Sequence, residues 1–198
     1  LRGILNDTLG FKDIHVPDEA FAHDTKYPDA VAMIRRLREK GKERELAFGL
    51  KLTNTLEVKN HRPVFPTSEA MMYMSGRGLH PLSINVASQL RQDLGVIPMS
   101  LSGGADAFNL ADIVACGLSP VTVCTDLLKP GGYTRLPQYL ERLQDAISAE
   151  EASDLAGWSC RRAGLVIDEG NLAEAQQANL QRYADIVRDD ERYRALHH

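Results

Sequence analysis

The stretch of residues 97–133 constrains this chain more than any other, because the same local pattern occurs in it twice. A short apolar run leads into glycine and hydroxyl-bearing residues, as S-L-S-G-G in the first half and V-T-V-C-T-D-L-L-K-P-G-G in the second, and an amphipathic helix follows each. Glycine lets backbone N–H groups approach an anion closely, because it has no Cβ and tolerates positive φ. The helix adds the positive end of its dipole. The pattern predicts two adjacent strand ends that form one phosphate cradle.

Four apolar runs, each followed by a helical pattern, predict an α/β fold. The predicted strands are residues 11–16, 46–52, 96–101 and 121–124. The helices that follow begin near Pro28, near Pro81, at about residue 107 and after the Gly-rich turn at 131–132, and they extend to residue 146. Such alternating units imply a parallel sheet with right-handed crossovers, and the apolar strands suit a sheet that is covered on both faces.

Two segments break this alternation. Residues 56–74 have no steady period, and the methionine-rich cluster at 71–74 predicts that they fold back onto an apolar surface. After residue 147, Ser148 with Glu151 and Asn171 with Glu174 have the spacing of capping boxes. They predict two helices, the second from Leu172 to about Leu196. Residues 147–198 are therefore expected to form a helical linker that leads to a following domain.

Composition narrows the possible partners and location. The net charge of -4 and the pI of about 5.9 argue against a nucleic-acid partner. No apolar run approaches the roughly 20 residues of a membrane span, and the first residues lack the features of a signal peptide. We expect a cytoplasmic protein without a membrane partner. The start at Leu1 instead of methionine favours a piece of a longer chain.

The cysteines and histidines indicate no metal site. Cys116, Cys124 and Cys160 are far apart and contain no C-x-x-C pair, so neither a zinc site nor an iron–sulfur cluster is expected from this chain, and buried free thiols are the plain interpretation. The histidines show no ligand spacing, and the last pair is either natural or a tag remnant. These histidines, none of which is assigned a role, are His15, His23, His61, His80, His197 and His198.

Several motifs resemble known redox proteins. Three motifs are similar to the C-terminal part of the FMN-binding (β/α)₈ barrels of dihydroorotate and dihydropyrimidine dehydrogenases. They are S-G-R-G-L-H-P-L, S-L-S-G-G-A-D-A-F-N and V-T-V-C-T-D. Four motifs resemble more closely the family of selenate reductase iron–sulfur subunits, which are multidomain relatives of the glutamate synthase small subunit. These motifs are K-L-T-N-T, M-Y-M-S-G-R, G-G-A-D-A-F-N and V-C-T-D-L-L-K-P-G-G-Y.

This resemblance implies an architecture for the chain and its surroundings. Residues 1–146 would be the C-terminal half of a TIM (β/α)₈ barrel of the dihydroorotate dehydrogenase type, with four βα units as strands 5–8. FMN would bind in the barrel, while iron–sulfur clusters, FAD and NADPH would belong to other domains of the same polypeptide. The loop with the catalytic base would lie upstream, so the chain alone should have no turnover. Open sheet edges would favour a homodimer of the chain.

The resemblance also implies which residues hold the cofactor. The FMN phosphate would be bound by three loops: Ser75 and Gly76; Ser102, Gly103 and Gly104; and Cys124 with Thr125. Lys51 corresponds to a flavin-contacting lysine in one alignment, whereas the neighbouring T-N-T places Asn54 on a substrate amide in another, and both alignments cannot hold together.

Simpler interpretations of the same residues remain open. The glycines suit ordinary βα turns, Lys51 could point to solvent by strand alternation, and asparagine is a common turn former. The main functional hypothesis is a redox one, in which the chain supplies the phosphate side of a flavin site. The alternatives are a flavin-free barrel that serves as a scaffold for the iron–sulfur and NADPH modules, and a sugar-phosphate enzyme on the same barrel.

Overall fold

The computed structural model describes residues 1–22, 24–62 and 64–194, and a small parallel sheet forms the centre of this part of the chain. The strands are β1 (Leu50–Leu52), β2 (Leu56–Lys59), β3 (Met71–Met74), β4 (Met99–Ser102) and β5 (Leu118–Thr122). The α-helices are α1 (Glu19–Ala22), α2 (Tyr27–Glu43), α3 (His80–Leu94), α4 (Leu110–Ala115), α5 (Leu136–Ala149), α6 (Leu155–Ala163) and α7 (Leu172–Asp189). The chain is thus an α/β protein, as predicted.

The parallel sheet has the order β1-β4-β5. Leu52 lies beside Leu101 and Ser102 lies beside Thr122, so the carboxyl ends of the three strands share one edge. Strand alternation sends the leucines and Met99 into the core beneath the helices. The opposite face carries Lys51 next to Ser100.

The helical layer over the sheet combines distant parts of the chain. Helix α3 begins with Pro81 in its first turn and ends at Leu94, directly before Gly95, whose φ is +71°. Helix α4 has only six residues, and α7 packs against α3, α4 and α6. Leu180 and Val187 of α7 belong to the same apolar core as the sheet. The segment expected to be a linker therefore covers the sheet, and its continuation into another domain stays a prediction.

The segment 56–74 forms an antiparallel hairpin of β2 and β3. Val58 is buried in a second apolar cluster, together with Leu5 and Leu79, and Met72 and Met74 pack against that cluster. The prediction that the methionine-rich segment folds back onto an apolar surface is confirmed.

The predicted strand at residues 11–16 is wrong, so the described residues contain three parallel strands instead of four. Its period-two pattern has no neighbouring strand to form a ladder with. Instead, the Asn6 side-chain Nδ2 donates to the carbonyl oxygens of Phe11 and Ile14, at 2.7 and 2.9 Å. The carbonyl oxygen of His15 accepts one backbone bond from Lys59 at the end of β2.

The predicted capping boxes are also wrong. Helix α5 continues through Ser148, and α6 is capped by Asp154, whose Oδ1 accepts from the backbone N–H of Gly157 at 2.7 Å. Helix α7 does begin at Leu172, but the Asn171 side chain donates to a carbonyl of the preceding loop instead of capping the helix. Helix α7 ends at Asp189, and its predicted end near Leu196 lies outside the described residues. The residues outside the described ones are His23, Pro63, Ala195, Leu196, His197 and His198.

Within the described ranges, every helix is too short or too polar to cross a lipid bilayer.

Candidate functional site

A cavity of about 300 Å³ lies at the carboxyl ends of the three parallel strands. The loops after β1, β3, β4 and β5 all reach it. Its lining residues are Thr53, Asn54, Thr55, Ser75, Gly76, Leu79, Ser102, Gly103, Gly104, Ala105, Thr122, Cys124, Thr125 and Leu128. The structure therefore brings the three predicted phosphate loops together at one place.

Two glycines allow these loops to touch. A Cβ on Gly104, whose φ is +65°, would lie 2.3 Å from the carbonyl oxygen of Gly76. A Cβ on Gly76, whose φ is +70°, would lie 3.0 Å from Cγ2 of Thr125. Each position needs glycine both for its backbone conformation and for the close approach of the next loop.

The lining of the cavity suits an anion. It contains the hydroxyl groups of serines and threonines but no carboxylate among the described residues. In the same described part of the chain, no hydrogen bond is donated by the backbone amides of Gly103, Gly104 or Thr125. Unengaged amide and hydroxyl donors around a cavity are the groups that bind phosphate oxygens in proteins.

The turn at Gly103 and Gly104 rests on two buried side chains. Nδ1 of His80 lies 2.8 Å from the carbonyl oxygen of Gly103, and Nδ2 of Asn109 donates to the carbonyl oxygen of Gly104 at 3.0 Å. Burial lowers the pKa of His80 to about 4, although its bond to the Gly103 carbonyl acts in the opposite direction. The histidine is thus neutral at pH 7 and holds the turn as a hydrogen-bonding group, not as a charge.

An ion pair connects the first two loops. Arg77 NH2 lies 3.0 Å from Oδ2 of Asp106, which is buried. The other carboxylate oxygen of Asp106 accepts from the backbone N–H of Phe108 at 2.8 Å. This pair ties the residue after Gly76 to the segment after Gly104.

The third loop is anchored by Asp126, directly after Thr125. Its carboxylate is bound by Arg135 Nε at 3.1 Å, Lys129 Nζ at 3.1 Å and the Tyr139 hydroxyl at 2.5 Å. Burial raises the pKa of Asp126, but the hydrogen bonds from these three donors outweigh it, so the pKa lies below its usual value. An ionised Asp126 fixes the chain reversal that places Thr125 at the cavity.

Some predicted site residues are placed differently from the expectation. Lys51 is exposed, does not line the cavity and takes part in no ion pair among the described residues. Asn54 lines the cavity, but its Oδ1 accepts from the backbone N–H of Thr55 at 2.9 Å, as in a turn former. Cys124 lines the cavity and is exposed, so the expected burial is wrong for it and confirmed for Cys116 and Cys160.

The helix expected to point its dipole at the glycine turn also differs. It was predicted to begin at residue 107, but α4 begins at Leu110, after a turn in which the backbone N–H of Asp106 donates to Oδ1 of Asn109. Its amino end is therefore separated from Gly104, and the anion-binding capacity of the turn depends on local amides and hydroxyls.

The sequence did not predict the buried side chains behind the turn. His80, Asn109, Tyr183 and Tyr193 come from three distant segments and follow no common motif. Only His80 and Asn109 gave a local signal, as polar residues beside apolar ones. Among the described residues, no group of three or more His, Cys, Asp and Glu side chains could hold a metal ion.

Comparison with known proteins identifies relatives for most of the chain. The family "Oxidoreductase YgfK, N-terminal TIM-barrel domain" matches residues 1–193. Proteins of Escherichia coli strains K12 and O157:H7, each named "Putative oxidoreductase YgfK", are 48% identical over 145 residues, which is 73% of this chain. The match covers 14% of the length of these relatives. No solved structure matches the chain.

Proposed function

The chain belongs to the family of the N-terminal TIM-barrel domain of oxidoreductase YgfK, and from this membership we propose that its cavity is the phosphate-binding side of an FMN site in a larger redox protein. The observation that carries the proposal is the convergence of three glycine- and hydroxyl-rich loops on one cavity, with unengaged amides on its wall. A phosphate site among the loops at the carboxyl ends of the last strands is usual for a TIM barrel.

The residues present fit a phosphate group. Gly103 and Gly104 lack the side chains that would collide with Ser83 and with the Gly76 loop, so the backbone of the turn can pack closely at the wall of the cavity. Ser75, Ser102 and Thr125 would donate hydroxyl hydrogens to phosphate oxygens, with amides of the three loops beside them. FMN, when bound, would supply the electron-transfer chemistry, and the residues of this chain would anchor and orient it.

The wider arrangement is part of the same proposal. The chain would be the C-terminal half of a barrel of the dihydroorotate dehydrogenase type, with the catalytic base on a loop outside it. Iron–sulfur clusters, FAD and NADPH would belong to other domains, as in selenate reductase iron–sulfur subunits. The name of the relatives, oxidoreductase, supports the redox assignment.

A titration with FMN and with riboflavin tests the proposal. Riboflavin carries the same ring without the phosphate, so we expect FMN to bind at least about tenfold more tightly, the effect of one or two charge-assisted hydrogen bonds. Quenching of flavin fluorescence measures both affinities. Thr125→Val, which removes one hydroxyl at nearly constant volume, should weaken FMN about threefold to tenfold and leave riboflavin unchanged.

Two glycine variants provide a matched comparison. Gly104→Ala places its Cβ against the carbonyl of Gly76, whereas Gly95→Ala has the same positive φ but no atom within 4 Å. Both should lose at least about 1 kcal/mol of stability from backbone strain, and Gly104→Ala more because its Cβ also collides with a backbone carbonyl, but only Gly104→Ala should lose FMN binding. Equal binding of FMN and riboflavin would contradict the phosphate site. No binding of either would contradict the flavin site as a whole and favour the flavin-free scaffold.

A further inference from the structure

The carbonyl groups of the glycine turn point away from the cavity into a buried polar network. His80 Nδ1 holds the carbonyl oxygen of Gly103 at 2.8 Å, and Asn109 Nδ2 holds that of Gly104 at 3.0 Å. Both side chains are fully buried. The turn is therefore fixed from its inner side by two specific hydrogen bonds.

Peptide geometry converts these two bonds into a direction for two amides. In a planar trans peptide the carbonyl of one residue and the N–H of the next point in opposite directions. A Gly103 carbonyl directed at His80 thus turns the N–H of Gly104 to the other side of the loop, where the cavity lies. In the same way, the bond from Asn109 turns the N–H of Ala105 towards the cavity.

Two tyrosines from the C-terminal segment hold the inner side chains. The Tyr183 hydroxyl of α7 lies 2.8 Å from Nε2 of His80, and the Tyr193 hydroxyl accepts from Nδ2 of Asn109 at 3.2 Å. The two hydroxyl oxygens are 3.4 Å apart, and the ring of Tyr193 stacks on His80 with 5.2 Å between centroids. Both tyrosines are buried.

The positions of the protons in this network follow from the carbonyl oxygen of Gly103 at one end of it. A carbonyl oxygen only accepts, so Nδ1 of the neutral His80 carries the hydrogen and Nε2 accepts from Tyr183. The Tyr193 hydroxyl is then the donor to the oxygen of Tyr183. Burial raises the pKa of Tyr183 well above its usual value, so this hydroxyl keeps its proton.

We propose that His80 and Asn109 are positioning residues that direct the amides of Gly104 and Ala105 at an anion in the cavity, and that Tyr183 and Tyr193 hold the His80 ring in the position on which this depends. This inference rests on the proposed phosphate site and adds a role for the C-terminal segment, which supplies the two tyrosines. The segment 172–193 is thus part of the anion site although it does not line the cavity.

The test uses the 198-residue chain with inorganic phosphate as the probe. Phosphate is titrated while the amide signals of Gly104 and Ala105 are followed by ¹H–¹⁵N NMR, and the imidazole ¹⁵N signals of His80 report its tautomer. His80→Leu removes the bond to Gly103 and should weaken phosphate binding roughly tenfold. Tyr183→Phe leaves Nε2 without its hydrogen-bond partner, so the ring of His80 should lose its fixed position and phosphate binding should weaken about threefold.

Two further variants separate positioning from general packing. His80→Asn keeps an N–H donor close to the position of Nδ1 and should recover much of the affinity that His80→Leu loses. Asn179→Ala removes a buried amide of the same α7 that bonds to the carbonyls of Ala115 and Ser159, away from the network. It should lower stability but leave phosphate affinity and the His80 tautomer unchanged.

The outcomes distinguish the two proposals. Wild-type binding together with unchanged affinity in His80→Leu and Tyr183→Phe would overturn the positioning role and leave the phosphate site standing. An equal loss of affinity in Asn179→Ala would also overturn it, because the effect would then be one of packing. A wild-type chain that does not bind phosphate would overturn both proposals.

Discussion

At the level of single residues, the site depends on polar groups that are buried and fully engaged. His80, Asn109 and Asp106 are all buried behind the glycine turn, and each has hydrogen-bond partners in the segment that it supports. A buried polar group that loses its partner costs about 1–3 kcal/mol, so such groups select one arrangement of the loop strongly. The turn is rigid for this reason more than through its own sequence.

His80 makes stability depend on pH. Its pKa in the folded chain is about 4, below the ordinary value of 6.5, so between these values the unfolded chain binds a proton that the folded chain does not. The free energy of unfolding should therefore fall as the pH decreases from about 6.5 to about 4, by about 3 kcal/mol from this residue. Urea unfolding at a series of pH values measures it.

The variant His80→Asn lacks this proton and serves as the reference. The difference in unfolding free energy between the wild type and His80→Asn should shrink by about 3 kcal/mol as the pH falls from about 6.5 to about 4. Parallel profiles of the two proteins would show that His80 titrates normally in the folded state.

At the level of elements, the connection between α5 and α6 shows which of two possible N-caps begins a helix. Ser148 with Glu151 and Asp154 with Gly157 are separate opportunities for a helix start only a few residues apart. The chain uses the second, since α5 continues through Ser148 and packs against α4, while Asp154 caps α6 and the buried Trp158 follows in its first turns. The burial of Trp158 and the Asp154 cap therefore favour the same start of the helix.

This boundary predicts a difference between two alanine variants. Asp154→Ala should lower the free energy of unfolding by about 1 kcal/mol, because it leaves the N–H of Gly157 without its acceptor. Ser148→Ala, on the exposed side of α5, should change it by less than about 0.5 kcal/mol. Thermal or urea unfolding gives both values. A larger loss for Ser148→Ala would restore the capping box as the true helix start.

At the level of the whole molecule, the described part of the sheet has two open edges. Strand β5 contains Pro120, which has no N–H to donate, so this edge is poorly suited to pairing with another strand. Strand β1 is short and carries Lys51. The backbone N–H of Leu50 donates a hydrogen bond on the side of β4. Since successive N–H groups of a strand point to opposite sides, the backbone N–H of Lys51 faces the free edge. The expected homodimer would therefore pair through β1.

Light scattering over a concentration series tests this association. We expect a dimer at high concentration for the wild type and for Lys51→Ala, which retains the backbone donor. Lys51→Pro removes that donor and should remain monomeric, with little change in the pairing of β1 and β4. A wild-type chain that stays monomeric throughout would contradict the homodimer.

Much of the candidate site could be predicted because its loops are defined by local requirements. Gly76, Gly103 and Gly104 stand at the ends of apolar runs, and the carboxyl ends of parallel strands necessarily meet at one edge. The strand at 11–16 was mispredicted for the opposite reason: its alternation is a local signal, whereas a strand exists only with a partner. Lys51 and Asn54 could not be assigned, because one strand position is compatible with either face or with a turn.

The sequence alone was sufficient for the α/β class, for the positions of the glycine turns and for the prediction that these turns meet at one place, where they line a single cavity. It was sufficient because glycine, small hydroxyl residues and apolar periodicity act over a few neighbouring residues. Only the tertiary structure revealed the His80–Tyr183 contact, which joins residues 103 positions apart, and the packing of α7 over the sheet. Such contacts depend on how several helices share one core, and no short stretch of the chain contains that information.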